Sequence, residues 1–454
     1  LNREGALVGD DSHFLESHQI ITGLNTSAPN FVSVFNSRFD LDNYIDYFIF
    51  ETYIQNRDWM GIDWGINNVK LWRQDTAGGT WRYMMYDTDF AFGLYGGNIY
   101  DNYIERARNP NYPNTHSEIF DHALDNADFK CRFTNRYNDL INTTFQTGNF
   151  NAVTDELKTE LAPAIPDHIV QWSSQMGPYS YTYWLNAVNS IKSYNSGRIA
   201  TARQHLNQSL SLQGQHTVDL HAFPNAAGHI RLNSIMPELP WEGVYHGACP
   251  VTAQAIPSRG FLFSHWYSTA TAYNNVMHDS IEVAVAANTT LVAHFDTCKN
   301  VVDATIQLSE KMLKAAVSIA VTNPSYEWLY NGLPVSTDSV IYNPLDGNYQ
   351  LTVRFDSCEI QSETFIVNQG DYGIHLFPNP AVDALTVQFL MGQQENMTLG
   401  IYNTAGQLVW ETTYSQFLGQ FNTTIDVSTF ARDLYMLRIT TPSLTYARKF
   451  IVVD

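Results

Sequence analysis

The length, composition and charge of the chain limit the classes of protein to which it can belong. Its 454 residues are too many for one ordinary core, so several domains are expected. The composition, 44% hydrophobic and 15% charged, is too apolar for a disordered chain. Lys and Arg number 25 against 45 Asp and Glu, and the net charge of −20 would repel a nucleic-acid backbone. No apolar run is long enough to span a membrane, so neither a nucleic-acid partner nor a transmembrane segment is expected.

The first residues, Leu1-Asn2-Arg3-Glu4, contain neither an initiator Met nor a basic segment followed by an apolar one. A secretory signal peptide would show that pattern. We therefore expect that the sequence is a mature form or a fragment of a longer protein.

Apolar residues follow a mostly helical spacing up to about residue 212 and a strand-like alternation beyond residue 216. The predicted elements of the first part are, in chain order, a buried core helix over 41–57, strands over 68–72 and 81–86, and helices around 117–144, 152–164 and 183–210. Two glycines separate the core helix from the strands. The first part is therefore predicted to be α+β, with a β-hairpin behind a core helix and a helical lobe after it.

Gly, Pro, Asn and Asp divide the strand-like part into three modules, each near the size of a small β-sandwich. The predicted domains are residues 1–213, 214–296, 297–369 and 370–454. In the third domain, the alternation and the position of Trp328 are typical of an immunoglobulin-like sandwich. The predicted fold class is thus a multidomain chain, α+β at first and followed by three all-β sandwich-like modules.

The four cysteines lie far apart and form no CxxC pair, which argues against zinc ribbons and thioredoxin-like motifs. Cys298 and Cys358 stand in near-identical settings, Phe-Asp-Thr-Cys and Phe-Asp-Ser-Cys, each at the end of a predicted strand. We expect either a disulfide between these two or two buried free thiols. The chain contains no HExxH and no GxSxG motif, so zinc-dependent and Ser-based hydrolysis are not expected.

Carboxylates and amides are concentrated in the hairpin and the loop that leads into it. The set consists of Asp58, Asp63, Asn67, Asn68, Asp87 and Asp89. Hard oxygen ligands of this kind suit Mg²⁺, which is usually held by one or two carboxylates together with nucleotide phosphates. The pattern therefore favours phosphoryl transfer, while the alternative is that these residues only form turns and caps.

The same residues lie in motifs that resemble the spore coat protein H (CotH) kinase family. The motifs are Asp58-Trp59, Asn67-Asn68-Val69-Lys70-Leu71-Trp72-Arg73, and Trp81-Arg82-Tyr83-Met84-Met85-Tyr86-Asp87-Thr88-Asp89-Phe90. The likeness covers roughly residues 1–212, since 131–145 and 184–203 resemble the helical C-lobe of that family. It implies an atypical, secreted, kinase-like fold that uses ATP and a divalent metal to phosphorylate Ser or Thr of extracytoplasmic proteins.

The resemblance assigns roles to individual residues. Asp58 matches the catalytic-loop Asp, Asn68 the metal-binding Asn and Asp87 the strand-end Asp that holds Mg²⁺ or Mn²⁺, and Asp89 is a second metal candidate. Kinase loops place the Asn five residues after the Asp, whereas Asp58 and Asn68 are ten apart. Asp63 has the shorter spacing and is the alternative base.

A kinase also needs a Gly-rich loop and a strand Lys that contact the phosphates, yet no Lys precedes Lys70. We expect that the ATP-covering N-lobe is missing, and that the chain is either truncated or no longer a kinase. Lys70 is a candidate phosphate contact or a solvated strand residue. Trp81, on the strand that leads to Asp87, is a candidate adenine contact or a packed hairpin aromatic.

Two resemblances in the β part place the protein outside the cytoplasm. Residues 214–296 resemble internalin B-repeat-like modules, whose aromatics would stack on a cell-surface glycan or form the core. The run Leu376-Phe377-Pro378-Asn379-Pro380 and the strands after it resemble the type IX secretion C-terminal sorting domain. That resemblance implies handling by the type IX machinery of a Gram-negative bacterium, with release or attachment at the cell surface, and it favours the Cys298–Cys358 disulfide.

Two functional hypotheses follow from the sequence. The first is a secreted CotH-type kinase that acts on extracytoplasmic proteins. The second is a non-catalytic adhesin or glycan-binding protein in which the kinase-like part is a degenerate scaffold.

Overall fold

The computed structural model describes residues 6, 8–177, 179–309, 312–342, 344–367, 374–442 and 445–454. Residue 1, where the first predicted domain begins, and the predicted domain boundary between residues 369 and 370 lie outside this set. The chain divides into two compact units, Leu1–Ile256 with His265–His294, and Pro257–Ser264 with Phe295–Asp454. Among the described residues, no helix is both long and apolar enough to cross a membrane.

The first 210 residues are mostly helical and contain one β-hairpin, as the sequence predicts. The helices are α1 (Ser12–Gly23), α2 (Phe31–Arg38), α3 (Leu41–Ile54), α4 (Tyr103–Arg108), α5 (Thr115–Leu124), α6 (Ala127–Asn142), α7 (Thr147–Leu161), α8 (Ile165–Met176) and α9 (Tyr181–Leu210), and the strands are β1 (Lys70–Arg73) and β2 (Trp81–Met84).

Helix α3 is the predicted core helix, and ten of its fourteen residues are buried. The Asp40 side chain caps its first turn by accepting the N–H of Asn43 at 3.0 Å. The helix ends at Ile54, three residues before the predicted end, because Gln55 adopts the left-handed conformation with φ of 58°. The chain therefore leaves the helical conformation just before the predicted site residues.

The β1–β2 hairpin packs one face on α3 and exposes the other. Leu71 pairs with Tyr83 in the antiparallel register, and both side chains are buried. The Asn43 side chain of α3 accepts the Tyr83 N–H at 2.6 Å and donates to the Tyr83 carbonyl at 3.1 Å. These bonds attach β2 to the core helix, so the position of the residues after β2 is set by α3.

The helical lobe differs from the prediction in two places. The single helical region predicted around 117–144 is two helices, because α5 ends at Leu124 with Asp125 as its C-cap, and Asn126 caps the next helix by accepting the Phe129 N–H at 2.8 Å. Helix α8, with Pro166 in its first turn, was not predicted. None of its side chains described by the structure is buried.

Residues 215–297, most of which belong to the first unit, form strands in two sheets. The strands are β3 (Gln215–Phe223), β4 (Gly228–Leu232), β5 (Trp241–His246), β6 (Val251–Pro257), β7 (Phe261–Ser268), β8 (Ser280–Val283) and β9 (Thr289–Thr297), in the orders β5-β3-β9-β7 and β4-β6-β8. A disulfide between Cys131 of α6 and Cys249 connects this β module to the helical lobe. The sequence did not predict that bond.

The second unit contains the short helix α10 (Cys298–Val301) and three sheets. Its strands are β10 (Ala304–Ser309), β11 (Met312–Val317), β12 (Ser325–Tyr330), β13 (Leu333–Ser336), β14 (Val340–Tyr342), β15 (Gly347–Phe355), β16 (Cys358–Gln361), β17 (Phe365–Val367), β18 (His375–Phe377), β19 (Ala384–Tyr402), β20 (Leu408–Asp426), β21 (Leu434–Thr440) and β22 (Thr445–Ile451).

In this unit, the predicted disulfide between Cys298 and Cys358 is present. The last sheet has the order β18-β19-β21-β22, with β20 beside β19, and its core is distinct from that of the sheets before it, although Leu390 of β19 is buried in the earlier core. The predicted fold class, an α+β region followed by all-β modules, is confirmed.

Candidate active site

Two chain segments run side by side at the end of α3 and bring the predicted carboxylates together. The Arg57 N–H donates to the Phe90 carbonyl at 3.0 Å, and the Phe92 N–H donates to the Ile54 carbonyl at 2.9 Å. The segment that ends in Asp58 therefore lies along the segment that follows β2. Because β2 is attached to α3, this pairing fixes Asp58 next to the residues at 87–89.

The Asp58 carboxylate is held by two asparagine amides. Asn67 Nδ2 donates to Asp58 Oδ1 at 2.6 Å, and Asn68 Nδ2 donates to Oδ2 at 3.2 Å and to the Asp58 carbonyl at 2.9 Å. The adjacent Trp59 is buried and donates its indole N–H to the Tyr47 hydroxyl at 2.8 Å. Both oxygens of Asp58 are thus oriented by donors, and its backbone is fixed by a buried neighbour.

The ten-residue spacing between Asp58 and Asn68 corresponds to an ordered loop. The Met60 N–H donates to the Asn67 carbonyl at 3.2 Å and closes the loop. Gly61, with φ of 80°, passes so close to the chain before α5 that a Cβ there would lie 2.5 Å from the Tyr112 carbonyl oxygen. The extra residues therefore pack on the helical lobe, and Asn68 still reaches Asp58.

Three carboxylates crowd together at this point. The pKa of Asp89 is raised by partial burial, then by its hydrogen bond with Asp87 and the negative charge of Asp87, and more weakly by the charge of Asp58. Burial and like charges at short range both disfavour the ionised form of a carboxyl group. Asp87 and Asp89 are both exposed. The structure therefore brings Asp58, Asp87 and Asp89 into one acidic cluster open to solvent, and we call it the acidic cluster.

Asp63, the alternative base, is engaged elsewhere. Its carboxylate forms ion pairs with Arg57, at 2.9 Å from Nε, and with Arg106. The side chain is 15% exposed. The Arg57 guanidinium also donates to the Tyr95 carbonyl at 3.0 Å. Asp63 therefore lies in a network of ion pairs that holds the loop to α4.

The two residues assigned to cofactor binding lie on opposite faces of the hairpin. Lys70 is on the outer face, and its Nζ lies 3.4 Å from the centre of the Tyr86 ring. Trp81 is on the inner face and is 7% exposed, and its indole N–H donates to His13 Nδ1 at 3.0 Å. Its ring also packs edge-on against Phe14. Trp81 is therefore packed between the hairpin and α1.

The exposed aromatic residues on the outer face were not assigned a role from the sequence. Trp72 is 50% exposed and lies opposite Arg82, and Tyr86 is 45% exposed. The sequence did indicate which aromatic residues are exposed, because side chains in a strand alternate between its two faces and Leu71 must face the core. Trp72 then faces outward, while Trp81 shares the buried face with Tyr83.

The donor set at the acidic cluster suits a magnesium–nucleotide complex better than a metal held by protein alone. Within the described residues, no group of three or more His, Cys, Asp or Glu side chains is arranged to hold a metal ion. Asp87, Asp89 and the side-chain oxygen of Asn68 are hard donors of the kind that Mg²⁺ accepts. Mg²⁺ typically takes one or two carboxylates and completes its shell with water and phosphate oxygens.

Comparison with known families gives an independent result for the same residues. The family described as "CotH kinase protein" matches residues 2–201, which include the acidic cluster and the hairpin. Residues 2–201 are thus the part of the chain that corresponds to a CotH kinase domain. The family described as "Secretion system C-terminal sorting domain" matches residues 375–453, which form the last sheet. The CotH and sorting-domain resemblances are confirmed.

Solved structures match the chain only weakly. They include "Biofilm associated protein - BSP domain" at 11% identity, with a TM-score of 0.16 and coverage of 54% of this chain and 57% of that one. "The Bacillus anthracis TIE protein" is 12% identical, with a TM-score of 0.14 and coverage of 53% and 48%. The chain thus spans about half the length of these two proteins. A search among curated proteins finds no match.

Proposed function

We propose that the CotH kinase domain transfers the terminal phosphoryl group of ATP to a Ser or Thr hydroxyl of an extracytoplasmic protein. The observation that carries this proposal is the acidic cluster, in which Asp58, Asp87 and Asp89 converge beside Asn68. Folding does not benefit from crowding three carboxylates, whereas a divalent cation bound to a nucleotide would neutralise them.

In this proposal, Asp87, Asp89 and Asn68 hold Mg²⁺ or Mn²⁺. The metal, when bound, neutralises charge on the phosphates and orients them for in-line transfer. Asn68 has a second task, because its amide also orients the Asp58 carboxylate. One asparagine therefore links the metal ligands to the residue that meets the acceptor.

Asp58 is the proposed catalytic residue that accepts the proton of the acceptor hydroxyl. Its two carboxylate oxygens are held at 2.6 and 3.2 Å by the amides of Asn67 and Asn68, so the side chain is oriented before substrate binds. Asp63 is not proposed as the base, because both of its oxygens are committed to Arg57 and Arg106.

The outer face of the hairpin is the proposed nucleotide side of the site. Lys70 supplies a positive charge for phosphate, and Trp72 and Tyr86 supply exposed rings on which a base can stack. Trp81 is not proposed as an adenine contact, because its ring is almost entirely buried.

The match to the sorting domain supports an extracytoplasmic location for the proposed activity. Domains of this family direct secretion or cell-surface attachment by the type IX machinery of Bacteroidetes-type Gram-negative bacteria. The acceptor is accordingly proposed to be a protein of the cell surface or the surrounding medium.

Phosphoryl transfer tests this function. The full chain is incubated with ATP, Mg²⁺ and casein as a generic acceptor, and phosphate incorporation is measured by intact-mass spectrometry. Asp58→Asn is expected to abolish transfer, because no base remains. Asp75→Asn is the matched control, since it makes the same change at the fully exposed tip of the same hairpin. Equal transfer by wild type and Asp58→Asn would contradict the assignment.

A further inference from the structure

A buried amide at the end of α3 connects the core helix to the backbone of Asp87. Asn56 is fully buried, and its Nδ2 donates to Glu51 Oε2 at 3.0 Å and to the Asp87 carbonyl at 3.4 Å. Glu51 lies in the last turn of α3 and is also fully buried. The two residues thus form a polar connection from α3 to the start of the metal-binding segment, and we call it the Glu51–Asn56 pair.

The backbone at Asp87 is in a conformation that its surroundings must maintain. Its φ of 51° lies in the left-handed region, which is unfavourable for a residue with a Cβ. Such residues persist where neighbouring structure holds them, and they are concentrated at functional sites. The bond from Asn56 acts on Asp87 itself, while the pairing of Arg57 with Phe90 acts three residues further on.

The Glu51–Asn56 pair contains buried polar atoms that lower the stability of the fold. Glu51 Oε1 and Asn56 Oδ1 are buried and have no hydrogen-bond partner among the described residues. Buried polar atoms without partners destabilise a fold, so their presence calls for another explanation. Burial also raises the pKa of Glu51 to about 8, against the weaker effect of the Asn56 bond. A protonated Glu51 adds no fourth negative charge beneath the acidic cluster.

We propose that Glu51 and Asn56 are positioning residues that hold the Asp87 backbone in its left-handed conformation and so aim the Asp87 carboxylate at the metal. This proposal rests on the proposed phosphotransferase function. It assigns a task to two residues that contact neither metal nor nucleotide. Groups that orient metal ligands in this way typically change metal affinity by roughly 10- to 100-fold when removed.

The test compares Asn56→Ala with Asn43→Ala in the full chain. Asn43 also binds the backbone of the hairpin segment from α3, but it does so at Tyr83, four residues before Asp87. Both variants lose side-chain bonds to backbone, so a general loss of stability affects both. Affinity for Mg²⁺–ATP is measured by calorimetry, and amide hydrogen exchange of a peptide spanning residues 84–92 is measured without nucleotide.

Asn56→Ala is expected to speed exchange at residues 84–92 and to weaken Mg²⁺–ATP binding by roughly 10- to 100-fold more than Asn43→Ala does. Should Asn56→Ala fail to fold, Glu51→Leu removes the anchor of Asn56 and is expected to act in the same direction, with rescue by Glu51→Gln. Exchange and affinity equal to those of Asn43→Ala would overturn the proposal. Asp87→Asn is run in parallel, because a wild-type chain that binds no more Mg²⁺–ATP than Asp87→Asn would overturn the proposed function instead.

Discussion

Two groups of carboxylates in the first unit have opposite surroundings. Asp139 of α6 is fully buried, and it accepts bonds from the Ser234 N–H at 3.1 Å, the Ser234 hydroxyl at 2.5 Å, the Tyr245 hydroxyl at 2.7 Å and Asn233 Nδ2 at 3.3 Å. In the acidic cluster, the pKa of Asp89 is instead raised by partial burial, by its hydrogen bond with Asp87 and by the charges of Asp87 and Asp58. The Asp139 carboxylate is hydrogen-bonded by donors of the protein, whereas the carboxylates of the acidic cluster lie close to one another.

The difference separates a structural carboxylate from a candidate functional one. Burial raises the pKa of Asp139, but four donors from the β module oppose that rise. Asp139 thereby fastens α6 to the β module, beside the Cys131–Cys249 disulfide. In the acidic cluster, the amides of Asn67 and Asn68 hold Asp58, and the charge of the crowded carboxylates is proposed to be neutralised by a ligand. Composition alone does not distinguish the two groups.

The largest expected effect is on stability and comes from Asp139→Ala. The change leaves the donors of Ser234 and Tyr245 buried without an acceptor, which typically lowers the free energy of unfolding by about 3–5 kcal/mol. Urea unfolding measures it. Asp128→Ala is the control on the same helix, because Asp128 is exposed and, among the described residues, forms an ion pair with Arg132 one turn further along, a contact worth about 0.5 kcal/mol. If Asp139→Ala lowers the free energy of unfolding no more than this control does, Asp139 is not a structural carboxylate.

The next effect is a pH dependence that belongs to Glu51. Its pKa of about 8 in the fold lies above the ordinary value of 4.5, so between these pH values the folded protein binds the proton more tightly than the unfolded chain. The free energy of unfolding therefore falls as pH rises through this interval, by at most about 1.4 kcal/mol for each pH unit. Urea unfolding from pH 5 to pH 8 is expected to show a smaller fall in Glu51→Gln than in wild type. Parallel curves would show that Glu51 is ionised in the fold.

The smallest effect on stability is expected within the acidic cluster. Asp89→Asn removes one of three repelling charges at an exposed position, so the free energy of unfolding should stay the same or rise, by less than about 1 kcal/mol. The same variant should bind Mg²⁺–ATP more weakly, because a ligand oxygen loses its charge. Thermal unfolding and calorimetry measure the two effects. A marked loss of stability would mean that Asp89 is a structural carboxylate like Asp139.

Local patterns predicted the scaffold of the site but not the contacts made across it. The period of the apolar residues predicted α3 and the hairpin, and the CotH motifs singled out Asp58, Asn68 and Asp87. Sequence spacing left Asp63 as the alternative to the favoured Asp58, because the ion pair of Asp63 with Arg106 joins residues 43 positions apart and is not visible in local patterns. The Cys131–Cys249 disulfide was missed for the same reason, since its two cysteines are 118 residues apart and have no shared setting.

The position of Trp81 is a different case, because the sequence contained the information. Trp81 and Tyr83 alternate with Arg82 in β2, and strand alternation places two aromatics on the core face. Its neighbour Trp72 in β1 then has the exposed position. The side-chain period of a strand is therefore a better guide to which aromatic side chain is exposed than the aromatic character of one residue.

The most direct test of the central claim is the dependence of ATP binding on a divalent metal. ATP is titrated into the full chain by calorimetry with Mg²⁺ and with EDTA, using wild type, Asp87→Asn and the hairpin-tip control Asp75→Asn. If the acidic cluster is a metal–nucleotide site, wild type and Asp75→Asn bind ATP only with Mg²⁺, and Asp87→Asn loses that binding. Binding of ATP that is equal with and without metal, or equal in Asp87→Asn and wild type, would contradict the claim.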